Sequence, residues 1–227
     1  MNTLPHSRQR WLATTTALLM LSGCSLLAPK ASEHPSFYSL DGARNDSRTE
    51  RATRRGGPTA APILVVNPPR SAPGFDSSRI IYVRAAHQLE YYAHSEWVDT
   101  PARMIAPLIV AAVEQSGAFR AVILTPSAVA AEFRLDTEIV RLQHELTSQP
   151  SRVHFTLRAY IADTTTRDVI AWQEFDASVA TKSNSPYGAV VAANEAAHAV
   201  LEQLAAFCAQ AAANWLPGVY PRQKRAN

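Results

Sequence analysis

The strongest pattern in the sequence is a strict alternation of apolar and polar residues from Arg152 to Ile161. The apolar set is Val153, Phe155, Leu157, Ala159 and Ile161, and the interleaved set is Arg152, His154, Thr156, Arg158 and Tyr160. Because successive side chains of a strand point to opposite faces, this run predicts a half-buried β-strand with one wet face. A sheet with one wet face is typically antiparallel, so the chain is expected to contain an antiparallel sheet covered on one side.

Two neighbouring stretches predict partners for this strand. Before it, Phe133, Leu135, Thr137 and Ile139 alternate in phase, and the phase then flips to Val140 and Leu142. Such a flip indicates a β-bulge near Ile139 and Val140. After a turn at residues 163–168, the stretch 169–179 provides a third strand. Pairing the three strands as a meander is expected to bring Asp136 or Glu138 close to Arg158 across the wet face.

Two helices are predicted to cover the other face. The first is capped by Thr100, has Pro101 at its first position and ends at Ser116-Gly117. The second begins at Ser185-Pro186 and continues to Ala213. Its apolar residues recur every three or four positions and form one stripe that can lie on a sheet: Val190, Ala193, Ala197, Leu201, Leu204 and Cys208.

Several shorter apolar runs complete the predicted sheet. The run 63–66 is continuous and β-branched, which is typical of a central strand covered on both faces. Residues 80–83 and 89–92 predict a hairpin, and 119–124 predict a short strand. The aromatic and apolar stretch 37–41 either fills a pocket or forms a first edge strand. The expected architecture is therefore a single α/β domain, with a mixed, mostly antiparallel sheet and two main helices packed on it.

The N-terminal residues have the three parts of a secretory signal. Arg8 and Arg10 precede an uncharged apolar run from Trp11 to Leu21, which is too short to cross a bilayer that needs ~20 helical residues. The small residues at the cut lead directly into Cys24, and Leu21-Ser22-Gly23-Cys24 resembles a bacterial lipobox. We therefore expect cleavage before Cys24 and acylation of its thiol, palmitate included. The alternative is an ordinary signal peptide with a cysteine nearby by chance.

Four segments follow from this organisation: a signal peptide (1–23), a lipidated N-terminus and flexible tether (24–61), a folded domain (62–216) and a basic tail (217–227). The tether contains an arginine-rich stretch at 44–55 and would reach ~120 Å if fully stretched. Removing the leader takes Arg8 and Arg10 from the 22 basic residues and leaves 20 against 19 acidic ones. The charge is therefore nearly balanced, and no basic stripe with interleaved aromatic residues points to nucleic acid.

The sequence contains no recognisable catalytic or cofactor motif. It has no Gly-x-Ser-x-Gly elbow, no phosphate-binding glycine loop and no His-Glu-x-x-His, so no cofactor and no metal are expected. A degenerate hydrolase could use only His94, Glu96 or Asp99. The remaining cysteine, Cys208, is expected to be a buried small hydrophobe rather than a reactive thiol.

The aromatic residues near the first helix leave two alternatives open. Trp97 either packs its indole over the start of that helix or joins Tyr91 and Tyr92 in an exposed patch. Such a patch would contact a protein partner or lipid, so these three residues are the candidate contact residues.

These motifs, taken in order, resemble the ABC-type transport auxiliary lipoproteins, a group that includes PqiC. The resemblance rests on the lipobox and on five later stretches, namely 37–40, 63–68, 89–92, 96–103 and 116–119, followed by the late Ala192-Ala193-Asn194 helix. It implies a non-enzymatic lipoprotein that works beside an MCE-domain protein and a membrane ABC permease and ATPase in moving lipids between the inner and outer membranes.

The resemblance also implies a location. In the sorting rule of such lipoproteins, aspartate after the acylated cysteine retains the protein at the inner membrane, so Ser25 favours the periplasmic face of the outer membrane. A homo-oligomer is compatible with this role. The alternative is a stand-alone lipoprotein that binds a lipid or hydrophobic ligand in its own cavity.

Overall fold

A computed structural model describes residues 34–41 and 58–214. The lipobox with Cys24, the arginine-rich stretch at 44–55 and the basic tail lie outside these residues. So does most of the tether, and the predicted segment boundaries therefore remain predictions. In the described residues no helix is both long enough and apolar enough to cross a membrane.

The described chain forms nine strands and two helices. The strands are β1 (Ser36–Tyr38), β2 (Ile63–Val66), β3 (Arg70–Ser71), β4 (Arg79–Ala85), β5 (Gln88–Trp97), β6 (Ala121–Leu124), β7 (Phe133–Glu145), β8 (Arg152–Asp163) and β9 (Val169–Ala180). The helices are α1 (Pro101–Gln115), between β5 and β6, and α2 (Pro186–Ala213), after β9. The predicted α/β class, with two main helices on one mixed sheet, is confirmed.

Strand β7 is the centre of the sheet. Along one side it pairs in parallel with β2, β3 and β4 in succession, and along the other side it pairs antiparallel with β8. Strand β2 continues to β6, whereas β4 continues to β5 and then to β1. The parallel pairings are short, and the long ladders β7–β8 and β8–β9 are antiparallel.

The three long strands confirm the predicted meander. Leu135 lies opposite Ile161, and Leu157 lies opposite both Ile139 and Phe175. The predicted bulge is present as a register shift between Ile139 and Arg141. The alternation divides the meander into an inner face, with the buried apolar residues, and an outer face, with the polar set.

Both helices lie on the inner face and close the core. The buried core contains residues of β2, β6, β7, β8 and β9 together with both helices. All six residues of the predicted stripe on α2 are buried, and Cys208 is a free, fully buried cysteine as expected. Burial raises the pKa of its thiol to about 12. Alanine side chains let α2 approach the sheet closely at little cost in side-chain entropy.

Two local predictions differ from the structure. Strand β2 is central, between β6 and β7, but only Leu64 and Val66 are fully buried, so one face rather than both is covered. Thr100 does occupy the cap position of α1, but its side chain makes no capping hydrogen bond. The Asp99 carboxylate accepts a hydrogen bond from the Thr100 backbone N–H instead, at 2.7 Å.

The short edge strand predicted at 37–41 is present as β1. It pairs in parallel with the end of β5, and Leu40 after it is buried. The Asp41 backbone N–H donates to the side-chain oxygen of Asn194 on α2, at 2.8 Å. Residues 36–41 are therefore packed in the domain, although they fall within the stretch predicted as tether.

Candidate functional site

The three residues of the hydrolase alternative do not form a site. No hydrogen bond or ion pair joins any two of His94, Glu96 and Asp99 in the described structure. Asp99 instead interacts with the start of α1. Its carboxylate accepts a hydrogen bond from the Thr100 N–H and forms an ion pair with Arg103 at 3.4 Å. None of the three residues lines the groove beside Asn67 and Tyr160 or the narrow space beside Trp97 and His144.

The histidines are equally dispersed. His154 lies 3.2 Å from Glu145, and His198 lies 3.7 Å from Glu202 one turn along α2. His87 sits in the β4–β5 turn with a positive φ of 67°. Within residues 34–41 and 58–214, no three His, Cys, Asp or Glu side chains are placed to hold a metal ion.

The aromatic residues 91, 92 and 97 do not form one exposed patch. Trp97 is only 3% exposed and belongs to the core, where it lines the same narrow space as Ala189 and Ala193 of α2. Tyr92 is half-buried, and its ring lies tilted against that of Tyr82, with ring centres 4.6 Å apart. Tyr91 is exposed, with the guanidinium of Arg79 4.9 Å from its ring centre. The ring of Trp97 is therefore enclosed in the core beside α2 and is not part of an exposed patch.

Beneath Tyr92 lies a buried polar network that the sequence analysis missed. The Ser151 hydroxyl donates to the amide oxygen of Asn184 at 2.6 Å. Since a serine has one hydroxyl hydrogen, Ser151 accepts from Nε2 of His144 at 2.9 Å and from Thr181 at 2.5 Å. Nδ1 of His144 then accepts from the Tyr92 hydroxyl at 2.7 Å.

The Ser151–His144 pair resembles a nucleophile and its base, but its surroundings exclude that role. Both residues are 0% exposed, so no substrate can reach the hydroxyl. Burial lowers the pKa of His144 and raises the pKa of Tyr92 to about 12. Both groups are therefore neutral near pH 7. The network is a structural tie between β5, β7, the start of β8 and the chain that leads into α2.

The outer face of the meander carries rows of paired charges. Arg158 contacts Glu138 on β7 at 3.4 Å and Glu174 on β9 at 2.8 Å. The predicted proximity of Glu138 to Arg158 is thus confirmed. Arg141 lies 2.9 Å from Asp176. Asp136, the other residue considered, is held by Arg134 at 2.8 Å and Asn67 at 2.6 Å.

Beside these charges are an exposed aromatic pair and an open groove. Trp172 on β9 is 64% exposed and stacks on Tyr160 of β8, with ring centres 6.4 Å apart. The adjacent groove has a volume of about 420 Å³ and is lined by Asn67, Pro68, Arg70, Asp136, Tyr160 and Val169. It is shallow and polar, unlike the enclosed apolar pockets that hold lipids or drug-sized ligands. Aromatic residues and arginine are typical of protein-docking surfaces.

Comparison with known proteins identifies a family whose model matches this chain and solved structures that share its fold. A family model described as the ABC-type transport auxiliary lipoprotein component matches residues 38–206. A search of curated proteins found no significant match.

Two solved structures have the same fold. Protein XCC0632 from Xanthomonas campestris, of the family DUF330, is 21% identical with a TM-score of 0.61, and the match covers 70% of this chain and 91% of that one. An uncharacterized protein is 11% identical with a TM-score of 0.56, over 78% of this chain and 98% of its own. At these identities the likeness concerns the fold alone.

Proposed function

Because the chain belongs to the family of ABC-type transport auxiliary lipoproteins, we propose that it is a non-enzymatic, membrane-anchored component of an MCE-type system. In this proposal it works beside an MCE-domain protein and an ABC permease and ATPase that move lipids between the inner and outer membranes. The observation that carries the proposal is the family match over residues 38–206, which spans almost the whole described domain.

The interior of the domain supports a docking role over lipid carriage. The space between Trp97, His144 and α2 measures about 10 Å³, room for about one water molecule. A ligand pocket of ordinary size measures ~300–1,000 Å³. The larger groove is open and polar. A stand-alone protein that binds lipid in its own cavity would need an apolar chamber, and neither space supplies one.

The proposed anchor is the acylated Cys24, with Ser25 favouring the outer membrane. Each buried CH₂ of an acyl chain contributes ~0.8 kcal/mol, and stable anchoring requires more than one chain. Because β1 begins at Ser36, the linker between Cys24 and the sheet consists of residues 25–35, which span at most ~40 Å when extended. The domain would therefore be held close to its membrane.

The anchor is tested by Cys24→Ala in the full-length chain. We expect the variant to leave the membrane fraction while its far-ultraviolet circular dichroism stays that of the wild type. The replacement Cys208→Ala is the matched control and should remain in the membrane fraction. Membrane association of Cys24→Ala equal to that of the wild type would contradict the anchor.

The system is tested by affinity purification of the full-length chain from detergent-solubilised membranes. We expect an MCE-domain protein, a permease and an ATPase in fixed ratio to the lipoprotein. Recovery of the lipoprotein alone, with stoichiometric lipid detected by mass spectrometry, would instead favour the stand-alone alternative. Recovery of the complex with lipid bound only when the MCE-domain protein is present would support a scaffold role.

A further inference from the structure

Strand β9 is a long edge of the sheet, and within residues 34–41 and 58–214 no strand pairs with its outer side. In the described part of the chain it pairs only with β8, through eleven of its twelve residues. The other described strands that have a single partner, β1, β3 and β6, are three, two and four residues long. Short edges are one of the ways in which proteins avoid unwanted pairing, and β9 does not use it.

The backbone of β9 presents a row of groups toward that open side. The Thr181 N–H, immediately after β9, donates to the Ser151 carbonyl on the β8 side at 2.8 Å. In an antiparallel ladder such pairs alternate, so the odd-numbered residues of β9 bond to β8. The even-numbered residues from Trp172 to Ala180 therefore direct their N–H and C=O groups outward, because the register is continuous over this stretch. The Ser178 carbonyl is already engaged, because it accepts a hydrogen bond from the Arg152 guanidinium at 2.7 Å, so the part of the edge available for pairing runs from Trp172 to Asp176.

The side chains of β9 do not block this edge. Trp172, Gln173 and Glu174 are three consecutive exposed residues, so both faces of the strand reach solvent there. The strand contains neither proline nor lysine, the residues that commonly protect an edge. Its two carboxylates, Glu174 and Asp176, are engaged by Arg158 and Arg141 of the neighbouring strands.

On the outer face, side chains of β7, β8 and β9 that lie opposite one another form rows across the strands. These rows indicate which side chains an added strand would need. One row runs Glu138, Arg158, Glu174 with alternating charge, and it stops at an acidic residue. The neighbouring row runs Asp136, Tyr160, Trp172 and stops at an exposed indole. Opposite charges and aromatic–apolar pairs stabilise adjacent strands. The complementary strand therefore has a basic residue opposite Glu174 and an apolar residue, two positions away, opposite Trp172.

We propose that the open edge of β9 binds an extended segment of a partner protein, which adds a strand to the sheet through its backbone. The segment carries an apolar and a basic residue two positions apart. The inference rests on the proposed function, since the partner is taken to be a component of the transport system. Strand addition uses main-chain hydrogen bonds for affinity and alternate side chains for specificity.

Other occupants fit this edge less well. A second β9 contains no basic residue and would bring its own carboxylates to an acidic edge. The basic tail of this chain has the charge, but Pro217 and Pro221 lack the N–H that pairing needs.

The edge is tested by a photo-crosslinking amino acid placed at Trp172 or, as a matched control, at Phe37. Both residues are exposed aromatics, and Phe37 lies on β1 at the opposite edge. In cells that express the full-length lipoprotein, we expect an adduct with the MCE-domain protein from position 172 and none from position 37. An adduct only with a second copy, only within the same chain, or equally from both positions would overturn the inference.

Two substitutions complete the test. Trp172→Lys and Glu174→Arg should reduce the MCE-domain protein that co-purifies about tenfold or more, whereas Phe37→Lys should not. Deleting residues 217–227 should leave the amount unchanged. If both β9 variants co-purify as much MCE-domain protein as the wild type does, the proposed binding at the β9 edge is overturned and the proposed function is not. A wild-type protein that recovers no transport component would overturn both.

Discussion

Phe155 and Arg158 lie three residues apart on β8 and face opposite sides of the sheet. Phe155 is 0% exposed and packs in the core beneath α2, whereas the Arg158 side chain is a third exposed and meets two carboxylates. The two faces of β8 therefore have different roles. The inner face supplies stability through burial, and the outer face is free to carry side chains that serve recognition, because exposed ion pairs contribute little to folding.

The largest effect on stability is expected from Phe155→Ala on the inner face. The cavity left in the core should lower the free energy of unfolding by about 3–5 kcal/mol. Trp172→Ala on the outer face removes a larger side chain, but because that residue is 64% exposed we expect a change within about 0.5 kcal/mol. Urea unfolding followed by circular dichroism measures both. Equal losses would mean that the two faces do not differ in this way.

The close approach of α2 to the inner face gives the next largest effect. Ala196 is 0% exposed in the core beneath α2, so Ala196→Leu should overpack the core and cost about 1–3 kcal/mol. Ala206 is an exposed alanine of the same helix, and Ala206→Leu is the matched control with little expected change. Thermal unfolding of both variants checks the difference. A neutral Ala196→Leu would indicate that the sheet and helix have room to separate.

A third prediction concerns the buried polar network of Tyr92, His144, Ser151, Thr181 and Asn184, which combines polar groups like those of the outer face with burial like that of the inner face. Burial lowers the pKa of His144 in the folded state, while the unfolded chain keeps it near 6.5. Below pH 6.5 the unfolded state therefore binds more protons, and stability contributed by neutral His144 is lost as the pH falls. One proton accounts for at most about 1.4 kcal/mol per pH unit.

We expect His144→Gln to flatten the dependence of unfolding free energy on pH between 6.5 and 5, measured by urea titration at each pH. His198→Gln is the control, because the His198 side chain is 46% exposed and lies on the surface of α2. It should leave the slope of the wild type unchanged. An unchanged slope in His144→Gln would show that His144 is not the group responsible.

The inner face could be predicted because its pattern is local. Alternation from Val153 to Ile161 fixes a strand and its buried side without knowledge of its partners. The flip after Ile139 gave the bulge for the same reason. The parallel pairing of β7 with β2, β3 and β4 is different, because no local pattern states which distant strand is the neighbour. The covering of β2 was misjudged since a continuous apolar run does not show which faces are packed.

The polar sites were harder to predict for a related reason. The network of Tyr92, His144, Ser151, Thr181 and Asn184 is assembled from positions without common periodicity. The sequence around Trp97 does not indicate that its side chain is buried, because that burial depends on where α2 packs on the sheet. The edge position of β9 is likewise a property of topology. The exposure of Trp172 did have a signal, because it alternates with Phe175 and Ala177 in the same phase as Glu174 and Asp176.

The smallest effect is expected from the charge row of the outer face itself. Arg158→Ala removes contacts with Glu138 and Glu174, all of them partly exposed, and should change the free energy of unfolding by about 0–1 kcal/mol. Because salt screens exposed charges, the difference from the wild type should shrink further in 1 M sodium chloride. Arg158→Met, which keeps an apolar stem, separates lost packing from lost charge. A loss above about 2 kcal/mol that persists in high salt would mean that the row holds the meander together. The outer face would then be a structural surface, and its charges would no longer be free to specify a partner.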